Sequence, residues 1–238
     1  KEYTIKAKAV IVATGGFGAN AKMVEKYNPK LKGFGSTNNP AIVGDGIIMV
    51  EKVGGALVDM SEIQTHPTVV HNKTNMITEA VRGEGAILVN KDGKRFIDEL
   101  ETRDVVSKAI LSQKGKSAFL IFDEDIRTKL KAADGYVKKG FAVEGTLEEI
   151  AAKIGTDAKT LEATLNKYNE AVRNKVDSEF NKKTLPKELT GTKYYAIEVS
   201  PAVHHTMGGV RINTNAEVLS KNGRPIKGLY AAGEVTGG

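Results

Sequence analysis

The chain has 238 residues, 40% hydrophobic and 27% charged, which is enough apolar content for a packed core and too much for global disorder. Its 35 Lys+Arg against 29 Asp+Glu leave a formal charge of +6, but the lysines are dispersed among acids with no interleaved aromatic platform, so a nucleic-acid surface is not expected. Zero Cys excludes a disulfide framework, a thiolate nucleophile, a Cys-ligated zinc and an iron–sulfur cluster held by this chain, and no apolar run reaches the roughly 18 residues of a membrane span, so an integral membrane protein is not expected.

Residues 5–13 are an apolar, β-branched run and predict a buried strand in the middle of a sheet. The run enters Thr14-Gly15-Gly16-Phe17-Gly18, where glycine permits a tight turn or a close backbone approach. Residues 20–27 predict a short helix, and Asn38-Asn39-Pro40 a turn. Gly44-Asp45-Gly46 opens a helical segment over 47–53, whose free N–H groups at its start suit an anion or a hydroxylated ligand.

Beyond Asp59 the texture changes. Residues 86–90 and 95–97 flank Asp92-Gly93 and predict a hairpin. Residues 101–113 have helical spacing, and 117–122 predict a strand. Thr146-Leu147-Glu148-Glu149 is a capping box. An amphipathic helix follows over 156–175, with Leu161, Leu165, Tyr168 and Val172 on one stripe. Residues 177–185 are polar and read as a surface loop. Strands are predicted at 194–199, on either side of Thr214-Asn215-Ala216, and at 227–232. This order suggests an α/β domain contributing both ends of the chain, with a mixed α+β domain inserted.

Four segments hold most of the reactive side chains: Gln64-Thr65-His66-Pro67-Thr68, residues 76–83 (MITEAVRG), Glu101-Thr102-Arg103-Asp104 and residues 203–209 (VHHTMGG). Singly, each has an ordinary explanation. Glu79 and Arg82 are spaced as a solvated i,i+3 salt bridge. His204 and His205 are adjacent, so on a strand they point to opposite faces and make a poor metal site; none is expected. His71 reads as exposed, and Met76 and Met207 as core packing.

Together, and in this order, several segments resemble the FAD-dependent fumarate reductase/succinate dehydrogenase flavoprotein family, above all its soluble flavocytochrome c-type branch. They are Ala13-Thr14-Gly15-Gly16, Gly44-Asp45-Gly46, Gln64-Thr65-His66-Pro67, Thr78-Glu79-Ala80-Val81-Arg82-Gly83, Thr102-Arg103-Asp104, His204-His205-Thr206-Met207-Gly208-Gly209 and Gly233-Glu234-Val235-Thr236-Gly237-Gly238. The resemblance runs the full length of the chain. It implies α/β flavin-domain segments with an inserted α+β capping domain: 1–60 and 205–238 as parts of an FAD-binding domain, 61–204 as the capping domain. It also implies hydride transfer from flavin N5 to fumarate. In the family pattern Arg103 matches the proton donor, and Glu79 and Arg82 its relay. His66, Thr78, Met76 and His204 match substrate contacts. Thr14, Gly15, Asp45, His205 and Glu234 match flavin contacts.

Two parts of that pattern are missing from this stretch: the strand–Gly-x-Gly-x-x-Gly–helix unit that places a dinucleotide diphosphate, and the segment with a second carboxylate-binding arginine. The expectation is therefore a fragment, binding FAD weakly or not at all and inactive by itself, of a parent that takes a small dicarboxylate and draws electrons from a donor outside this chain. The alternatives are a reductase of another unsaturated acid (urocanate or acrylate type) and a non-catalytic interaction domain. The mildly basic surface then reads as surroundings for an anion, and no compartment is implied.

Overall fold

The computed structural model describes residues 3–238. In chain order the first elements are β1 (Val10–Val12), α1 (Ala21–Tyr27), α2 (Asp45–Lys52), β2 (Leu57–Val58), β3 (Ile63–Val70), α3 (Glu79–Gly83) and β4 (Ile87–Val89). Next come α4 (Arg103–Leu111), β5 (Ala118–Asp123), α5 (Glu124–Lys129), α6 (Lys131–Lys138), β6 (Val143–Gly145), α7 (Leu147–Ile154) and α8 (Ala158–Asn174). The chain closes with β7 (Tyr194–Thr206), β8 (Gly209–Arg211), β9 (Glu217–Leu219), β10 (Pro225–Ala231) and β11 (Thr236–Gly237). These elements form two compact units, one of residues 1–65 and 203–238, the other of residues 66–202.

The first unit holds two small sheets, β1-β10-β9 and β11-β8-β2. β1 runs parallel to β10, and β8 parallel to β11. Parallel pairing requires a crossover, and that between β1 and β10 spans most of the chain. Phe17, Val24, Ile47, Val50, Val203, Val210, Ala231 and Val235 form its core. Asn20 caps α1 by accepting the Met23 N–H. The apolar run at 5–13 behaves differently from its reading: only Val10–Val12 pair, β1 lies at the edge of its sheet, and Val10 and Ile11 are exposed. A β-branched run reports that a strand is favoured; it does not report which neighbours cover it.

The second unit is built on one sheet, β3-β7-β5-β4, with β6 also paired to β7. β5 is buried at every position, which requires cover on both faces and explains its unbroken apolar sequence. Leu120, Phe122, Tyr195 and Ile197 from the sheet share one core with Val106, Ile110, Ile150, Leu161, Leu165 and Tyr168 from the helices. Both halves of the capping box at Thr146 form, and α8 starts one residue after its cap, Asp157, rather than at Thr156.

The structure corrects or narrows five further readings. The segment at 177–185 is not a solvated loop, because Asp177 and Lys182 are buried and paired with charges. The Asp92-Gly93 turn forms, but its second strand reduces to one bridge, Val89 to Arg95. The turn at 213–217 also forms, with one antiparallel bridge between its arms, Ile212 to Val218, while β8 pairs further with β11 and β2 and β9 with β10. Met207 is exposed instead of packed, and Met76 is partly exposed. His71 is half-buried, with Nδ1 3.1 Å from Ser200 Oγ.

Candidate active site

The candidate residues fall into two groups, one in each unit. In the unit of 66–202, Glu79 and Arg82 lie one turn apart on α3, and Thr78 is its N-cap. The Thr78 N–H donates to the Tyr136 hydroxyl at 3.0 Å, which ties the start of α3 to α6. Arg103 is the first residue of α4, capped by Thr102. A helix start disfavours a cation, so this placement needs a countercharge. Glu79 supplies it: Arg103 Nη2 lies 3.6 Å from Glu79 Oε2.

Arg82 is fully buried, and Nη1 donates to the Glu99 carbonyl in a short bond. Its Nε and Nη2 make no hydrogen bond. Burial holds the Arg82 proton affinity below the ordinary arginine value and Arg103 adds to this, while Glu79 and Glu99 oppose it. A buried guanidinium with spare donors, near a half-exposed carboxylate and a second guanidinium, can pass a proton along one line.

His66 sits on β3 and is almost wholly buried. The segment at 75–77 turns back along β3: Val69 bridges Met76, and the Ile77 N–H donates to the Thr68 carbonyl at 2.8 Å. This antiparallel return brings Thr78 toward the His66 end of β3 and leaves Met76 37% exposed.

In the other unit, the segments that carry Thr14, Gly15, Asp45, His205 and Glu234 approach one another closely at two glycines. A Cβ on Gly46 would fall 2.1 Å from Thr14 Oγ1, and one on Gly16 would fall 1.9 Å from Thr206 Oγ1. Backbone therefore meets side chain with no room to spare at both glycines. The Glu234 carboxylate accepts from the Thr206 N–H at 2.8 Å and lies 3.2 Å from His205 Nδ1. α2 begins after Gly44, which has φ +86° and no side-chain cap, and Asp45 occupies the first turn. Its leading N–H groups are thus available to a polar ligand. An uncapped helix start and partly exposed His205 and Glu234 are groups that suit a flavin dinucleotide.

His204 belongs to the same unit. Its Nδ1 is 2.7 Å from Thr37 Oγ1, and its carbonyl accepts from Asn38 Nδ2 at 2.8 Å. Asn38 belongs to the segment read from sequence as a turn, and Thr37 immediately precedes it. The larger omission is a buried group of four charges, Arg95, Glu99, Asp177 and Lys182. The i,i+4 spacing of Arg95 and Glu99 was a visible signal; the remaining partners are some 80 residues away in sequence and carried none. Among the described residues no group of His, Cys, Asp or Glu is arranged to hold a metal ion, and no helix is long and apolar enough to cross a membrane.

A family model described as FAD binding domain matches residues 1–238. Over 237 residues the chain is 52% identical to a fumarate reductase (cytochrome) from Shewanella frigidimarina, covering 99% of this chain and 42% of that protein. A urocanate reductase from Eggerthella lenta is 40% identical across 99% of this chain and 41% of its own length. A solved structure, the open conformation of a flavocytochrome c3 fumarate reductase, superposes with a TM-score of 0.82 at 45% identity over 98% of this chain and 41% of that one.

Proposed function

The chain belongs to the FAD binding domain family, and from that premise we propose that it is the central part of a flavin-dependent reductase that converts fumarate to succinate. It spans 42% of the length of the Shewanella protein and 41% of that of the urocanate reductase. Residues 66–202 act as the capping domain, and the flanking unit contributes part of the flavin-binding domain.

FAD, held by Thr14, Gly15, Asp45, His205 and Glu234, supplies the hydride when bound. The chain's own residues hold the substrate and manage the proton. His66 and Thr78 bind one carboxylate, Met76 presses on the carbon skeleton, and His204 binds the other carboxylate. Charge builds on one carboxylate as hydride adds, so fixed donors there stabilise the transition state more than the substrate. Arg103 gives its proton to the carbon that does not receive hydride. Glu79 then returns a proton to Arg103, and Arg82 resupplies Glu79. The observation that carries this reading is the facing pair of Arg103 and Glu79, at 3.6 Å, with buried Arg82 one turn along the same helix. An electron donor outside this chain completes the cycle.

The direct experiment replaces Arg103 by Ala in the FAD-loaded enzyme. Turnover with fumarate and a reduced dye should fall to the background while the flavin spectrum persists. Activity above about one per cent would remove Arg103 from the donor role, since a positioned general acid contributes about 10²–10⁴-fold. A second reading, reduction of a different unsaturated acid, is favoured by the 40% identity to the urocanate reductase. A panel of fumarate, urocanate, acrylate and methacrylate separates the two: preference for a monocarboxylate would select the second.

A further inference from the structure

We propose that Glu99 is a positioning residue for the proton relay, one residue serving with both its side chain and its main chain. The inference rests on the reductase reading above. The Glu99 carboxylate is fully buried and uses both oxygens. Oε1 accepts from Arg95 Nε at 2.8 Å and the Leu88 N–H at 3.2 Å; Oε2 accepts from Arg95 Nη2 at 3.0 Å and Lys182 Nζ at 2.8 Å. Arg95 Nη2 also reaches Asp177 Oδ2 at 2.9 Å. Two acids and two bases thus cancel in a group that is buried, with Glu99 fully so.

This anchor has an outlet. The carbonyl of Glu99 is the hydrogen-bond acceptor of Arg82. Directly before it, Asp98 accepts from the Leu100 N–H at 2.9 Å through its side chain and from the Glu101 N–H through its carbonyl, so that Glu99 lies inside a turn that leads into Thr102 and Arg103. One immobilised residue therefore sets the positions of two relay members on different helices. A lone surface salt bridge would not fix a loop in this way; a carboxylate holding four donors in a dry interior does.

The charged groups facing Arg82 are Glu79 on its own helix, Glu99 on the loop and Arg103 on α4, with the Tyr136 hydroxyl of α6 at Thr78 and the Glu84–Lys129 pair at the far end of α3. Because the buried group is neutral, removing one of its charges exposes Arg82 to a net field of known sign. Glu99→Gln leaves +1 and should make Arg82 hold its proton less firmly. Lys182→Met leaves −1 and should do the reverse. Asp177→Asn also leaves +1 and removes none of the four donors that Glu99 holds.

The test measures kcat, KM and their pH profiles for fumarate in the FAD-loaded enzyme, with the thermal midpoint recorded for each variant. Glu99→Gln is expected to lower kcat about 10-fold or more, with KM changed less than about two-fold, because misplacement of a catalytic group costs turnover and not ground-state binding. The alkaline limb of the kcat profile should move down by about one pH unit in Glu99→Gln and Asp177→Asn and up in Lys182→Met. If Glu99→Gln does not yield folded enzyme, the opposite shifts of the other two carry the result. A merely structural anchor would lower the thermal midpoint in all three and leave the limb where it was, or move it the same way in each; either outcome overturns the proposal. If Arg103→Ala keeps its turnover, the reductase reading fails irrespective of Glu99. If Arg103→Ala is inactive and the limb stays fixed, only the role of Glu99 fails.

Discussion

Glu99 keeps its charge although it is fully buried. Burial alone would raise its pKa, but Lys182 and Arg95 outweigh burial and hold it below the ordinary glutamate value. Asp177 is likewise held low, its burial offset chiefly by Arg95. A carboxylate whose folded value lies below its unfolded one stabilises fully above the unfolded value, and stops as pH falls through the folded one. The urea midpoint should therefore be level down to about pH 4.3 and drop below it as these two acids protonate. A level midpoint to about pH 3 would show that the pair adds no stability. Glu234 is a second case. It holds Thr206 through the backbone N–H and, at 3.2 Å, the hydroxyl. Glu234→Ala should cost about 1–3 kcal/mol, read as a lower thermal midpoint. It should also lower the ratio of flavin to protein absorbance on purification; an unchanged ratio would remove Glu234 from the flavin site.

At the scale of elements, the most legible features are those made by bonds within one turn. The capping box of α7 needs only Thr146 and Glu149, and both of its bonds form. Thr146→Ala should cost about 1 kcal/mol. Leu161 and Leu165 were legible for a similar reason: a stripe at helical spacing has to face a core somewhere, and theirs faces β5 and β7 through the shared cluster. Leu165→Ala should cost about 2–5 kcal/mol, and a loss below about 1 kcal/mol would mean the site collapses around the gap. Elements defined by a distant partner were read less well. The arms of the turn at 213–217 are real strands, but they share only one bridge, Ile212 to Val218, and their longer pairings are with β11, β2 and β10, which no local pattern specifies. The short helices α5 and α6, joined at Leu130, went unread because their apolar residues are few and their stability comes from packing on β5.

At the scale of the molecule, the chain enters residues 66–202 on β3 and leaves on β7, and these strands are neighbours in one sheet. Entry and exit are thus about 5 Å apart in the hydrogen-bonding direction. The unit also has its own core, from Val70 to Val199. A polypeptide of residues 66–202 alone is therefore expected to fold, with dispersed amide resonances and one cooperative urea transition. A collapsed spectrum, or a transition without cooperativity, would show that it depends on the flanking chain.

Composition, helical stripes, the capping box and the ordered motifs around His66, Glu79, Arg103, His204 and Glu234 determined the α/β and α+β character, the family and the candidate residues, because each depends on chemistry local to a few positions. Which strands those residues stand on, that Arg103 faces Glu79, that Arg82 hangs on the Glu99 carbonyl and that Asp177 and Lys182 are buried were decided only by tertiary structure. Those facts join residues up to 83 positions apart. Their free energy comes from desolvation and charge pairing in a shared interior, and neither exists until the chain has closed around it.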